Sequence, residues 1–125
     1  MKLLLIIFFG GGAGSVTRYL LVNYFNKIMP TSIPYGAILV NLAGALLIGI
    51  IYYLITTKFL LNEQLKIFFT IGFLGGFTTF SSFNLDFFKL IESGNLGLAI
   101  IYAAATFIGT ITLFYSGYSF AKLIS

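Results

Sequence analysis

The chain has 125 residues, 59% of them hydrophobic and only 8% charged, with a mean hydropathy of +1.05. Soluble domains carry about 25% charged residues, so seven basic and three acidic side chains, net +4, cannot solvate this surface and the solvent must be lipid. With no Cys and no His, disulfides, thiol nucleophiles, imidazole chemistry and most transition-metal sites are excluded, so no enzyme is expected; the basic residues stand singly, with no run that suggests nucleic acid.

A bilayer core takes about 20 apolar residues as a helix, and hydropathy divides the chain into four such spans. The first covers residues 3–26 and is interrupted only by Arg18. Met1-Lys2 before an apolar run resembles a signal peptide, but the length and the Gly-rich continuation favour a retained helix. Within Gly10-Gly11-Gly12-Ala13-Gly14-Ser15-Val16-Thr17-Arg18-Tyr19, small residues at spacing four allow helices to approach closely. Arg18 lies about 12 Å of helical rise from the end of its span. Two readings stand side by side: a snorkelling Arg beside an interfacial Tyr19, or an intramembrane anion attractor or hydrogen-bond hub.

Residues 27–34 hold both prolines, Pro30 and Pro34, and read as a loop. The second span, 35–57, carries Asn41 as its only deep amide. Asn41 is either an interhelical hydrogen-bonding group or a donor facing a polar pathway; Gly36, Gly44 and Gly49 read as packing. Residues 58–64 form the second loop and 65–89 the third span. Its centre, Gly72-Phe73-Leu74-Gly75-Gly76-Phe77-Thr78-Thr79-Phe80-Ser81-Ser82-Phe83, is poor material for a straight lipid-facing helix. Paired glycines followed by Thr and Ser predict a break at mid-membrane, where freed carbonyls must be buried, face water or hold a cation. The alternative is a kinked helix whose hydroxyls bond back to its own backbone. Phe80 and Phe83, at i and i+3, share a face among the hydroxyls of Thr79, Ser81 and Ser82. A ring edge is electropositive and accepts an anion where the ring face repels it. After a loop at 92–95, the fourth span, 96–121, places Tyr102, Thr106 and Thr110 at i, i+4 and i+8, a polar stripe that reads as a buried track. The fold class is all-α: one four-helix transmembrane domain over residues 1–125.

Four spans put both termini and the middle loop on one side. That side carries Lys2, Lys58, Lys66 and Lys122; the other carries Lys27 and Lys89, plus Arg18 if it snorkels there. Such a near balance gives almost no positive-inside signal. It is compatible with one weakly biased orientation, and equally with insertion in both, which permits an antiparallel homodimer.

Taken together, Gly-Gly-x-x-Gly-x-x-x-Arg-Tyr, Gly-x-x-x-Val-Asn-x-x-Gly and Gly-Phe-Leu-Gly-Gly-Phe-Thr-Thr-Phe-Ser-x-Phe resemble the Fluc (CrcB) family of fluoride channels over essentially the whole chain. Departures include Ser82 in place of Thr and Ala37 where the family often has Thr. The resemblance implies a dual-topology antiparallel homodimer with two pores that passes fluoride passively, lowers its cytoplasmic concentration and excludes chloride. It implies a bacterial inner membrane with lipid as surroundings. On this sequence the implied pathway comprises Asn41, Phe80, Ser81, Phe83, Tyr102, Thr106 and Thr110, the last two being commonly Ser in the family. It also implies a structural Na⁺ at the dimer interface on the backbone carbonyls of Gly75 and Thr78, with Arg18 a vestibule or structural residue.

Two other classes remain in view. A small four-span proton-coupled efflux transporter wants an intramembrane carboxylate, and Asp86, near the end of the third span and close to Lys89, is the only candidate. A non-transporting scaffold would use Asn41 and the polar stripe as helix glue.

Overall fold

A computed structural model describes residues 1–29, 34–58 and 62–125. The loops expected at 27–34 and 58–64 therefore lie partly outside the described residues, at 30–33 and 59–61. Every regular element among the described residues is helical. Helix α1 is Lys2–Ile28, and α2 is Tyr35–Tyr53, prolonged by a π-helical segment Leu54–Lys58. The third stretch consists of α3, Glu63–Ile67; a second π-helical segment, Phe68–Phe73; α4, Leu74–Phe77; and α5, Phe80–Glu92. Helix α6 is Leu96–Ile124. Four stretches, Lys2–Ile28, Tyr35–Thr57, Glu63–Glu92 and Leu96–Ile124, are long and apolar enough to cross a membrane.

Local chemistry explains where these helices start and stop. Asn62 caps α3: its Oδ1 accepts the Leu65 N–H at 2.8 Å, so the helix begins at Glu63, ahead of the first apolar residue. A Lys66–Glu63 ion pair at 3.3 Å lies across that first turn. At the far end, Gly94 takes a φ of +85°. The Asn95 N–H reaches Leu90 C=O at 2.9 Å and the Gly94 N–H reaches Ile91 C=O at 3.0 Å, closing α5 as a Schellman turn. Helix α2 is capped from outside, because Asn26 Oδ1 of α1 accepts the Gly36 N–H at 2.9 Å. That bond satisfies a first-turn donor with no partner in its own helix.

Helices α2 and α6 share the most extensive contact, while α1 packs against the first half of the third stretch. The second contact is backbone on backbone. A Cβ added at Gly14 would collide with the Phe73 carbonyl oxygen, and one at Gly72 would sit 3.1 Å from Gly10 Cα. The glycines of α1 thus act as packing residues, as small-residue spacing suggests. Two apolar clusters complete the interior. Val40, Leu74 and Phe77 meet where α2 faces α4, joined by Leu21 and Val22 of α1; Phe83, Leu90, Ala99 and Tyr102 join α5 to α6.

Candidate functional site

The site is built around two residues that belong to no helix. Thr78 N–H closes the last turn of α4 on Leu74 C=O at 3.0 Å. Thr78 and Thr79 then turn extended, at φ −103°, ψ 146° and φ −153°, ψ 134°, before α5 starts at Phe80. The next bond of the helical series, from Thr79 N–H to Gly75 C=O, is not made. Thr79 N–H goes instead to Asn41 Oδ1 of α2, at 3.4 Å. The Thr78 side chain bonds back to Leu74 C=O at 3.0 Å, and its methyl lies where a Cβ on Gly44 would be. Gly44 therefore lets the linking pair approach α2.

Beside this link is an open cleft of about 410 Å³. Asn41 and Gly44 line it from α2, Gly75 and Thr78 from the link and the turn before it, Phe80 and Phe83 from α5, and Thr106 and Thr110 from α6. Seven of the residues singled out by sequence thus meet: Asn41, Gly75, Thr78, Phe80, Phe83, Thr106 and Thr110. Their states differ. Thr106 is buried, 8% exposed, and its hydroxyl has no partner. Thr110 Oγ1 is occupied within its own helix, donating to Thr106 C=O at 2.7 Å.

The rings form a stack. Phe83, buried, lies near-parallel to Phe80 at 5.2 Å and to Tyr102 at 5.1 Å, with interplanar angles of 26° and 15°. Phe107 meets Phe83 at 71° and 5.5 Å. Phe87 lies near-parallel to Phe83 as well, at 6.1 Å and 20°, so Phe83 sits at the centre of an aromatic cluster, and ring rims are the electropositive part of such side chains.

Three expected residues stand outside the cleft lining. Tyr102 is fully buried, and its hydroxyl donates to Asp86 Oδ2 at 3.4 Å. Ser81 is exposed and shares a 2.9 Å hydrogen bond with Thr79 Oγ1. Arg18 donates from Nη1 to Ser82 Oγ at 3.2 Å, while its Nε is buried without a partner. Among the described residues Arg18 has no carboxylate partner, the one ion pair being Lys66–Glu63. No cluster of three or more Asp, Glu, Cys or His side chains fit to hold a metal occurs among the described residues.

Sequence reasoning passed over two participants. Phe107, next to Thr106, touches both Phe80 and Phe83, and its position one residue on from Thr106, within the polar stripe, was the available signal. Ser82 stood out only as one of the hydroxyls beside Phe80 and Phe83 and as a departure from a motif, with no sign that it is the hydroxyl Arg18 reaches.

Four helical stretches long and apolar enough to cross a membrane, beside a cleft lined by threonines, one amide and aromatic rings, define a polytopic membrane protein. Comparison with known proteins gives the lineage. The family model described as CrcB-like protein, Camphor Resistance (CrcB), matches residues 5–118, and the chain belongs to that family. Relatives named fluoride-specific ion channel FluC include one from Leptospira interrogans serovar copenhageni, 39% identical over 93% of this chain and 91% of the relative. Another, from Phocaeicola vulgatus, is 45% identical over 75% of this chain and 77% of its own. A third, from Pseudomonas fluorescens, is 38% identical over 98% and 99%. The chain is a multi-pass integral membrane protein of a non-enzymatic family.

Proposed function

We propose that this protein is a fluoride-selective channel that lets fluoride leave the cytoplasm passively, working as an antiparallel homodimer with two pores. The observation that carries the reading is Thr106, which lines the same cleft as Asn41, Phe80 and Phe83 and whose buried hydroxyl has no hydrogen-bond partner. An unsatisfied buried hydroxyl is a cost to the fold, and a permeating anion that accepts its proton removes that cost. Fluoride is small and strongly hydrated, so a path for it must replace water with fixed donors and positive ring rims. A larger anion gains less from each. Conduction also requires that no single site hold too tightly, which suits one hydroxyl, one amide and ring edges better than a fixed cation. The names of relatives in three distant bacteria support the same ion.

The homodimer is supported by what one chain leaves open. Phe80 is 59% exposed and Phe107 48%, so the aromatic wall of the cleft faces outward and a second copy would close it. The near-even charge on the two sides permits that copy to be inverted. A central sodium ion is part of the proposal. The donor set fits it: the carbonyl of Gly75 has lost the Thr79 N–H, Gly75 is exposed, and Thr78 is extended. Carbonyl oxygens suit a hard monovalent cation, and each chain would supply the same two. Such an ion would neutralise oxygens that the interrupted helix leaves without partners. Arg18, bonded to Ser82 on the first turn of α5, serves the structure there.

Fluoride efflux from proteoliposomes, read with a fluoride electrode against a chloride control, tests the function. Rapid fluoride loss with chloride retained is expected, and no efflux from folded dimers overturns it. For the cation, melting of the purified protein in sodium against a large organic cation gives a readout separate from flux. A lower melting temperature without sodium is expected.

A further inference from the structure

The carboxamide of Asn41 has two unlike ends, an acceptor oxygen and a donor NH₂. We infer that the main-chain N–H of Thr79 is a positioning group that fixes which end faces the cleft. It takes the oxygen of Asn41 and thereby turns both Nδ2 protons toward the path. What those protons serve rests on the fluoride-channel reading above; the orientation itself does not.

The argument starts from the link. A backbone N–H can only donate, so the partner 3.4 Å from Thr79 N must be Oδ1. Reversing the amide would set donor against donor and leave an N–H unpaired, a loss that proteins rarely tolerate away from water. Thr79 has this proton to give because its own extended conformation, with that of Thr78, has removed it from Gly75 C=O. Asn41 is half-buried, it lines the cleft, and no described residue accepts from its Nδ2. The interruption in the third stretch therefore does a second job. It frees carbonyls on one side, and on the other it supplies the donor that sets a neighbouring helix's amide.

The inference separates two roles that an alanine substitution would merge. Asn41→Asp keeps an oxygen for Thr79 and deletes both donors. If Asn41 only tied α2 to the link, Asp would keep that tie, and because its carboxylate can also repel an anion, the uncharged ester variant decides between the two roles. With the donors required, fluoride efflux falls by at least about tenfold, as expected when a site built to hydrogen-bond its ligand loses the donor, while the protein remains folded. Replacing the Thr79 N–H by an ester oxygen, through incorporation of the α-hydroxy acid counterpart of threonine, keeps every side chain. It is expected to lower efflux and to reduce the preference for fluoride over chloride. Wild-type rate and selectivity in either variant overturn the inference.

A measurement on the unmodified protein keeps the test independent of flux and of how the variants fold. In lipid, magnetic resonance is expected to correlate the Thr79 amide proton with the side-chain carbonyl carbon of Asn41. Correlation with the backbone carbonyl carbon of Gly75 instead overturns the inference. If wild-type protein carries no fluoride yet shows the Asn41 correlation, the channel reading fails and the orientation stands.

Discussion

The two halves of the third stretch are held by opposite means. Before Thr78 it lies against α1 through glycine, backbone on backbone, with no room for a methyl at Gly14. After Thr79 it lies against α6 through rings and hydroxyls, side chain on side chain, with a cleft left open. The first contact is largely backbone, with Ser15 Oγ beside Gly76 as the hydroxyl in it, and its close approach fixes position. The second brings threonine hydroxyls and aromatic rings to an open cleft, the groups that the proposed anion path would use. The division teaches that the fold gives rigidity to one half so that the other can stay incompletely packed.

That contrast can be attacked from both sides. The largest effect is expected at the seam. Gly14→Val drives two methyls into the Phe73 carbonyl, and overpacking of this kind costs roughly 1–3 kcal/mol or more. Little monodisperse protein should then be recovered by size exclusion in detergent, and wild-type recovery would mean that the seam is loose. Next is Phe83→Ile, which removes a ring rim but leaves an apolar side chain. Efflux should drop to background in protein that still elutes as wild type does, and normal conduction would end the aromatic-edge assignment. Thr106→Val is expected to move two observables in opposite directions. Removing an unpartnered buried hydroxyl should raise stability by about 1 kcal/mol, seen in a denaturation midpoint, while fluoride efflux falls. A fall in stability would show that the hydroxyl is bonded after all. The smallest effect is Ser82→Ala, which removes the partner of Arg18 Nη1. One interhelical hydrogen bond in a membrane is worth about 0.6 kcal/mol, so a slight loss of thermal stability with near-normal efflux is expected.

Much of this was legible in the residues. Four apolar runs predict four spans because lipid admits little else, and Asn41, Phe80, Phe83 and the Thr106/Thr110 stripe stand out as polarity or aromaticity that lipid does not explain. The structure places all five on one cleft. What sequence could not supply was the pairing. Tyr102 reads as a member of the stripe, yet its proton goes to Asp86. Ser81 and Ser82 are neighbours of equal promise, but only Ser82 faces Arg18. These outcomes depend on how each helix is rotated about its axis. The extended pair Thr78–Thr79 resets the rotation of α5 relative to the helix before it, and α6, unbroken throughout, is turned by what it packs against rather than by its own residue spacing. The hand-over of Thr79 N–H to Asn41 was hidden for another reason: it is a backbone group, and no residue type announces it.

The bond from Gly36 N–H to Asn26 Oδ1 bears on the order in which the molecule can come together. It spans ten residues, so the chain entropy lost in closing it is small, and both partners have been synthesised once the second span begins. The α1–α2 hairpin can therefore be set before later segments exist. The glycine seam of α1, by contrast, has nothing to meet until Gly72 and Phe73 have been made and inserted. Until then the groove beside Gly10 and Gly14 has no partner to fill it, and the contact of α1 with α2 is the one already available to it.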